Sequence, residues 1–405
     1  MKIRVGVIFG GESVEHEVSI ISAMQAINKL DLEKYEVVPI YITKDREWYT
    51  GDMLKDIEVY QDLNLIKRYS DNVVLYYKDG SFVLQKKKGL FKRVVKEIDV
   101  AFPIVHGTNV EDGVLQGYLQ SIGIPLVGPN VYGAAVGQDK VYMKAIWNEA
   151  ELPMTKYVWF YDVDYKQDSS EVIKKVSKLK YPVIVKPATT GSSVGISVCE
   201  DEEKLKEAID DAIQYDNKIL VEEVVKNLKE VNIAVMGNYE HQKVSEIEEV
   251  FSGNKFLTYA DKYIGGGKGK LKGGKTASSK GMASASRKLP ADLPKKQREE
   301  IEEIAVKAFK ALGSAGNSRI DFLIDEDTNK VYINEINSIP GSLAFYLWEE
   351  KGVSFTKMLE EMINIGVKDY KKRVSKTHSF ESNILKGFAA NGGVKGMKGM
   401  KGKLR

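Results

Sequence analysis

Two segments near residues 320 and 335 carry side chains suited to metal and phosphate chemistry. In SRIDFLID, residues 318–325, the period of a strand places Arg319 and Asp321 on one face, and in KVYINEIN, residues 330–337, it places Glu335 and Asn337 on one face. A DEDTN turn separates the segments, so a hairpin would bring these side chains together. Their oxygens suit Mg²⁺, which takes one or two carboxylates and completes its shell with water and nucleotide phosphates. The alternative is a polar face turned to solvent, although such a face rarely selects only metal and anion ligands.

A glycine- and serine-rich segment, VIVKPATTGSSVG at residues 183–195, is the second candidate. Lys186 ends an apolar run, and Gly191 and Gly195 allow the backbone amides between them to approach a phosphate. Ser192 and Ser193 add hydroxyl donors. A plain turn between two strands is the alternative interpretation.

Several single charged residues have two interpretations. Lys140, in VGQDKVYMK, is either a second phosphate lysine or a solvated residue on a helix. Glu15 and Glu17, in GGESVEHEVS, lie where a helix begins, and the helix dipole alone favours acidic groups there. His16 and His106 have no recognisable metal-ligand spacing, so ordinary polar roles are expected for both histidines.

Residues 269–276, GKLKGGKT, match the phosphate-loop pattern G-x-x-x-x-G-K-[ST]. That pattern needs a buried strand before it and a helix after it, and neither flank has the required apolar period. We therefore predict a solvated, basic, mobile loop instead of a nucleotide cradle.

Composition excludes several classes of protein. The 405 residues are 43% hydrophobic, and a net charge of +3 gives no general argument for nucleic acid or a membrane surface as a partner. A single cysteine, Cys199, cannot form an internal disulfide, and the first apolar run is too short for a signal peptide. We expect a cytoplasmic protein without a membrane span.

The elements that must position these residues follow from periodicity. An apolar run at 3–9, a helical repeat at 20–27 and a second run at 37–42 predict a parallel sheet, without the dinucleotide pattern G-x-G-x-x-G. We predict domains at 1–126, 127–222 and 223–371, the last with a mobile loop at 256–290. Residues 372–405 are predicted to form a basic, low-complexity tail.

Five motifs in order make the chain resemble the D-alanine:D-alanine ligases of the ATP-grasp superfamily. They are FGGESVEHEVS, HGTNVEDGVLQG, KPATTGSSVG, RIDF and NEINSIPG, and the resemblance covers about residues 3–365. It implies an α/β and α+β architecture, the ATP-grasp fold, with an N-terminal Rossmann-like parallel-sheet domain and two α+β subdomains enclosing ATP. GKLKGGKT then falls in the loop that covers the bound nucleotide.

The resemblance also implies residue roles. Those implied for ATP binding fall on Lys140, Lys186, Ser193, Glu222, Glu223, Glu230 and Lys262, with Glu222 by the adenine and Glu230 on the ribose. Asp321, Glu335 and Asn337 would hold two Mg²⁺ ions, with Mn²⁺ as an alternative. The implied catalytic group contains Glu15, Ser192, Tyr263, Arg319 and Gly341, and His106 and Ser342 would contact substrate.

Three departures from the family pattern stand out. Val110 replaces a usual glycine, and NLKE at residues 227–230 is one residue longer than its counterpart. After Gly341, a longer family segment with a serine for the second substrate's carboxylate is compressed to PGSLAFYLWEEKG, where Ser342 is the replacement.

The implied function is ATP-dependent joining of two D-alanines through an acyl phosphate, for peptidoglycan precursors, by a homodimer acting on small molecules. One alternative is a relative that joins a different amino acid or hydroxy acid pair. Another is a regulatory protein that binds nucleotide without turnover. The complete Arg319, Asp321, Glu335 and Asn337 set argues against the regulatory alternative, because nucleotide binding alone does not need that much charge stabilisation.

Overall fold

The structure is a computed structural model that describes residues 2–89, 92–192, 194–251 and 287–379. Three sheets organise these residues. No helix among them is long and apolar enough to cross a membrane.

The N-terminal sheet has seven strands in a mixed arrangement. Its elements are β1 (Ile3–Gly10), α1 (His16–Ile27), β2 (Tyr35–Ile42), β3 (Trp48–Thr50), α2 (Leu63–Tyr69), β4 (Asp71–Lys78), β5 (Ser81–Lys86), β6 (Val94–Ile98), β7 (Val100–Pro103) and α3 (Val114–Ser121). The order is β6-β5-β4-β3-β2-β1-β7. The predicted parallel pairing is confirmed for β1 with β2 and with β7. From β2 to β6 each neighbouring pair is antiparallel, an extension that the sequence analysis missed.

The second sheet has four strands, in the order β10-β9-β11-β8. Its region contains α4 (Val131–Gln138), α5 (Lys140–Glu149), β8 (Tyr157–Tyr161), α6 (Asp162–Gln167), α7 (Ser169–Val176), β9 (Val183–Pro187), β10 (Ser197–Cys199), α8 (Glu202–Ala212) and β11 (Lys218–Glu223). All of its strand pairs are antiparallel. The apolar run that ends at Lys186 is β9, which places that lysine at the strand's end, as predicted.

The third sheet has five strands, in the order β14-β13-β12-β15-β16. Its region contains β12 (Leu228–Gly237), β13 (Gln242–Val250), β14 (Arg287–Lys288), α9 (Lys295–Ala311), β15 (Gly316–Asp325), β16 (Lys330–Asn337), a turn at Gly341–Ala344, α10 (Phe345–Glu349) and α11 (Phe355–Val374). β15 and β16 form the predicted hairpin.

The core of the N-terminal sheet extends beyond that sheet. Leu343, Leu347 and Met358, which follow the hairpin in sequence, are fully buried in the same cluster as Val7 and Ile40. Contacts group the described residues up to 367 into one compact unit, and a second unit starts at 368. The turn after the hairpin is therefore packed into the N-terminal core. The domain boundaries at 126, 222 and 371 stay predictions.

Candidate functional site

The β15–β16 hairpin brings the predicted metal and phosphate residues together. Asp321 lies opposite Glu335, and Arg319 lies opposite Asn337. The Asn337 amide donates to Oδ2 of Asp321 over 3.1 Å, and the Arg319 guanidinium donates to both Asp321 oxygens over 2.7 and 2.8 Å. Arg319 is only 6% exposed, so the solvent-face interpretation is wrong for this end of the hairpin.

The charge on Arg319 is secured by its neighbour. Burial opposes the charged form, but the Asp321 carboxylate overcomes it and raises the pKa of Arg319 well above its usual value. The guanidinium is therefore a fixed positive charge held in a protected position. Such a group suits a transferring phosphoryl group, which carries charge on several oxygens.

One row of polar side chains crosses the third sheet. Glu248 pairs with Asn232, Asn232 with Asp321, and Asp321 with Glu335. Directly opposed residues on neighbouring strands point to the same face, so all four share the face of the hairpin site. Glu230 lies two residues before Asn232 in β12, so its side chain is on the same face. The resemblance implies that this residue contacts the ribose.

Glu248 is a charged member of this row that the sequence analysis missed. Its carboxylate, 1% exposed, accepts from the Tyr346 hydroxyl and from Arg287, each over 2.9 Å. The Arg287 guanidinium lies 4.2 Å from the centre of the Tyr346 ring. Burial, and then the Glu248 charge, raise the pKa of Tyr346, which therefore stays a hydroxyl donor.

The two predicted phosphate lysines are held by different partners. Nζ of Lys140 donates to the Thr190 carbonyl oxygen over 2.8 Å, and the residue is 8% exposed. The solvated-lysine interpretation is therefore wrong. Nζ of Lys186 lies 3.2 Å from Oε1 of Glu222 and 3.3 Å from Oδ1 of Asn334 in β16. These contacts bring the end of β9 close to the hairpin strands.

Glu222 is the carboxylate of a buried three-charge cluster. Lys144, which the sequence analysis missed, approaches its Oε2 to 3.0 Å, and Thr155 donates to the same oxygen over 2.7 Å. Burial works against the ionised carboxylate, but Lys144 and Lys186 lower the pKa of Glu222 to about 2. Burial also lowers the pKa of Lys144. The low pKa keeps Glu222 ionised between Lys144 and Lys186.

The N-terminal domain contributes Glu15 to the site. Glu15 is 8% exposed and accepts a hydrogen bond from the Ser192 hydroxyl. Gly191 is required for this approach, since a Cβ there would lie 2.6 Å from Oε2 of Glu15. The loop after β9 therefore packs closely against Glu15 and donates a hydrogen bond to it. Glu15 makes this contact in addition to its place at the start of α1.

A second group of N-terminal residues reaches the segment after β16. Nδ1 of His106 lies 2.8 Å from the Ile339 carbonyl oxygen, and Nε2 lies 3.0 Å from the Ser22 hydroxyl. Glu111, which the sequence analysis quoted without a role, accepts from the Ile339 amide over 2.9 Å and from the Ser338 hydroxyl over 3.0 Å. Burial, and then the Glu15 charge, raise the pKa of Glu111 to about 7.

These groups surround a cavity of about 80 Å³. The predicted site residues among its walls are Glu15, His106, Lys140, Ser192, Arg319, Glu335, Asn337 and Gly341. A water-sized group needs roughly 10–15 Å³ of such space, so the cavity matches a molecule of a few non-hydrogen atoms. That is the scale of a small amino acid and is too small for a nucleotide.

A larger cavity of about 720 Å³ lies towards the other end of the third sheet. Its walls combine apolar residues such as Val198 and Val250 with several charged ones, among them Glu230. Its volume falls in the range of ligand sites that hold a nucleotide-sized molecule. Glu223, which is not among these walls, lies in β11 one residue after Glu222 and accepts from the Lys180 amide over 3.1 Å.

Some predicted positions lie outside this geometry. Ser193, Lys262, Tyr263, the GKLKGGKT segment and residues 380–405 of the tail lie outside the described residues. Ser342 is described and is 2% exposed, and its amide donates to the Ser22 hydroxyl over 2.8 Å. Ser22, Lys144 and Glu248 carried no sequence signal, because their partners are remote in the chain, and Glu111 lay in a quoted motif without an assigned role.

The donor set of the hairpin fits a hard divalent cation. Asp321 and Glu335 face each other on adjacent strands and Asn337 contacts Asp321, which gives oxygen donors from three side chains. Among the described residues, no group of three or more His, Cys, Asp or Glu side chains forms a metal cluster. Two carboxylates and an amide are what Mg²⁺ uses when phosphate and water complete its shell.

Models of two protein families match the chain. Residues 4–129 match the N-terminal domain of D-ala D-ala ligase, and residues 146–364 match its C-terminal domain. A D-alanine–D-alanine ligase of Acetivibrio thermocellus is 41% identical over 386 residues, which are 91% of this chain and 97% of the relative. Another, of Thermosipho melanesiensis, is 38% identical over 95% of this chain and 98% of the relative.

Solved structures agree with these matches. The D-alanine-D-alanine ligase of Coxiella burnetii superposes with a TM-score of 0.76 at 25% identity, over 96% of this chain and 99% of that one. The VanG D-Ala:D-Ser ligase of Enterococcus faecalis superposes with a TM-score of 0.74 at 29% identity, over 90% and 100%. The predicted ATP-grasp fold is confirmed by these superpositions.

Proposed function

The chain belongs to the D-alanine–D-alanine ligase family, and from this premise we propose that it joins two D-alanines at the expense of ATP for peptidoglycan precursor synthesis. The observation that carries the proposal is the small cavity. It places a buried carboxylate, Glu15, and a fixed cation, Arg319, around a space of amino-acid size. An ammonium and a carboxylate at opposite ends are the features of one free amino acid.

The first D-alanine would bind with its ammonium at Glu15. A carboxylate that is 8% exposed offers an ammonium a stronger partner than one in water, because the local dielectric is low. Ser192 fixes the position of that carboxylate by its hydrogen bond. The carboxylate of the substrate then points towards Arg319 and the hairpin.

ATP would place its phosphates between β9 and the hairpin, with its nucleoside in the larger cavity. Lys140 and Lys186 would contact the phosphate oxygens, and Glu222, itself held by Lys144, positions Lys186. Glu230 would contact the ribose and the segment at Glu222 and Glu223 the base. Ser193 and Lys262 stay predictions for the same site.

Asp321, Glu335 and Asn337 would hold Mg²⁺, with Mn²⁺ as an alternative. When bound, a divalent cation offsets the phosphate charge and aligns the transferring group. A pair of ions at these residues stays a prediction, as does a homodimer.

The chain's own groups account for the two chemical steps. In the first step a carboxylate oxygen of D-alanine bonds to the γ-phosphorus, the bond from that phosphorus to the β–γ bridging oxygen breaks, and ADP leaves. In the second step the neutral amine of the other D-alanine bonds to the acyl carbon, phosphate leaves, and the nitrogen loses one proton.

Arg319 would stabilise charge on the phosphoryl group and on the tetrahedral oxygen, as would the amides of Ser338 and Gly341. The resemblance also implies a catalytic role for Tyr263, which lies outside the described residues.

The second D-alanine would bind beside the compressed segment after Gly341. A hydroxyl at Ser342, in the compressed segment after Gly341, is proposed to receive its carboxylate. The likeness to a D-Ala:D-Ser ligase keeps a different second amino acid as an alternative product. A hydroxy acid fits less well, because the resemblance implies that Tyr263 stands where peptide-forming members of the family carry tyrosine.

The test is a screen of acid pairs by ADP release and product mass. We expect Mg²⁺-dependent ADP formation with D-alanine alone and a product of the mass of D-alanyl-D-alanine. A preference for D-serine in mixtures would mean that the second amino acid is D-serine and not D-alanine. The protein would still be a ligase. If no amino or hydroxy acid pair accelerates ADP formation, the regulatory alternative takes its place.

A further inference from the structure

A buried chain of hydrogen bonds joins α1 to the turn that follows the hairpin. The Ile339 carbonyl oxygen lies 2.8 Å from Nδ1 of His106, Nε2 lies 3.0 Å from the Ser22 hydroxyl, and the Ser342 amide donates to that hydroxyl over 2.8 Å. Ser22 is 1% exposed and His106 3%. The chain therefore runs between two backbone groups of the turn, three residues apart, by way of the N-terminal domain.

The two ends of this chain fix every proton in it. A carbonyl oxygen only accepts and an amide only donates. Nδ1 of His106 must therefore carry the proton that it donates to Ile339, and the Ser22 oxygen accepts from Ser342. In a neutral ring Nε2 then accepts from the Ser22 hydroxyl. Burial lowers the pKa of His106 and keeps the ring neutral, as this arrangement requires.

The backbone that the chain holds is strained. Ser342, Leu343 and Ala344 have φ values of 52°, 51° and 47°, so three consecutive residues with side chains adopt the left-handed conformation. A residue with a side chain is less stable in this conformation than in the right-handed one, because its Cβ crowds the following carbonyl oxygen. A run of three persists only where surrounding contacts determine it, and such strain concentrates at functional sites.

Two further contacts hold the same turn from the opposite side. Nδ2 of Asn317 donates to the Leu343 carbonyl oxygen over 2.8 Å, and Trp348 donates to Oδ1 of Asn317 over 2.9 Å. Asn317 lies two residues before Arg319 on β15, and Leu343 is fully buried in the N-terminal core. The turn is therefore clamped between α1 and the strand that carries Arg319.

Ile339 and Gly341 line the small cavity, so the clamp acts directly beside the reacting groups. We infer that Ser22 and His106 are positioning residues that hold the 339–344 turn in its strained form for the carboxylate of the second substrate. The inference rests on the proposed function, because it deepens the role of that turn. In this arrangement both ring nitrogens of His106 bond to the protein, so the role of His106 is to hold the turn and not to contact the substrate directly.

The test compares two buried serines of the same helix. Ser22→Ala removes the link to His106 and Ser342, whereas Ser19→Ala removes a hydroxyl that bonds the Gly10 amide and the Ile104 carbonyl oxygen, away from the turn. The two Michaelis constants for D-alanine are separated by following ADP release over a wide range of concentration. We expect Ser22→Ala to raise the constant of the second D-alanine about tenfold, the scale of one buried hydrogen bond. The ATP constant should stay within about twofold, and Ser19→Ala should leave all three within about twofold.

Equal effects of the two serine variants on the second D-alanine, or no effect of Ser22→Ala, would overturn the inference. A nitrogen-15 spectrum of the histidine rings in the wild-type protein decides it even if Ser22→Ala does not fold. We expect a neutral Nδ1–H tautomer for His106, identified by its loss in His106→Gln, and an Nε2–H tautomer would overturn the clamp. Absence of D-alanine-dependent ADP release in the wild type would instead defeat the proposed function, and the tautomer would still report on the clamp.

Discussion

The two regions around the small cavity are stabilised in different ways. On the side of β9 and the hairpin, Lys186 lies beside Glu222 and Arg319 beside Asp321, so opposite charges are paired. The turn at 341–344 is held by hydrogen bonds between neutral groups, from the Ser342 amide to Ser22 and from Asn317 to Leu343, and by burial of Leu343. Losing one member of a charge pair leaves the other charge buried, whereas losing one hydrogen bond leaves a single polar group. The difference predicts large effects on the first side and small ones on the second.

Glu222→Gln should have the largest effect, and it should fall on stability. It leaves Lys144, 1% exposed, without its carboxylate, and breaking a buried ion pair in this way costs about 3–5 kcal/mol of unfolding free energy. Denaturant unfolding monitored by fluorescence measures that loss. Glu223→Gln, the same change one residue later at a half-buried position, should cost less than about 1 kcal/mol. Equal losses in the two variants would show that the Lys144–Glu222–Lys186 cluster contributes no special stability.

Glu335→Gln should leave the fold intact and reduce turnover. It keeps the size of the side chain and removes a negative charge from the proposed metal site, so we expect at least roughly a hundredfold lower kcat. Asp327→Asn makes the same chemical change in the exposed loop of the hairpin and should keep kcat within about twofold. A near-normal kcat in Glu335→Gln would show that the proposed metal site of the hairpin takes no part in the reaction.

Ser342→Ala tests the turn itself. If its hydroxyl receives the carboxylate of the second D-alanine, the KM of that substrate should rise about tenfold while that of ATP stays unchanged, since one hydrogen bond to a charged group is lost. Ser314→Ala removes another buried hydroxyl, which contacts Ser318, and serves as the matched control. An unaltered KM in Ser342→Ala would show that the Ser342 hydroxyl does not bind the substrate carboxylate. That carboxylate would then be bound by the backbone of the clamped turn.

The pH dependence of stability should show the smallest effect. Because the pKa of Glu111 is raised from its ordinary value of 4.5 to about 7 in the folded protein, folding favours its protonated form. Its contribution to stability is therefore greatest below pH 4.5 and is lost as the pH rises towards 7. His106, whose pKa is lowered, acts in the opposite sense as the pH falls below about 6.5. The measurement must therefore separate the titration of Glu111 from that of His106.

The difference in Tm between wild type and Glu111→Gln isolates it. We expect wild type to gain about 1 kcal/mol relative to the variant on going from pH 8 to pH 6, which corresponds to a relative shift in Tm of about 2 °C. Parallel Tm curves for the two proteins across this range would show that Glu111 is not the titrating group.

Local patterns in the sequence determined the hairpin and the strands around it. Arg319, Asp321, Glu335 and Asn337 share a face because the alternation of a strand is fixed by its backbone, and a short turn allows only antiparallel pairing. The parallel start of the N-terminal sheet followed from long apolar runs such as Ile3–Gly10. The strand at Trp48–Thr50 has three residues, too few for a period to be visible, and the antiparallel extension of that sheet was missed with it.

Only the tertiary structure decided which remote residues meet. Ser22 and Ser342 are 320 positions apart and Glu111 and Ser338 are 227 apart, yet both pairs form buried hydrogen bonds. No local pattern marks Ser22 as different from Ser19, since both are buried serines of α1 and only the elements that pack against that helix give them different partners. The left-handed turn at 342–344 has the same origin. Its residues carry side chains and would not adopt that backbone alone, and burial against the N-terminal core, together with the contacts of Ser22 and Asn317, offsets the strain.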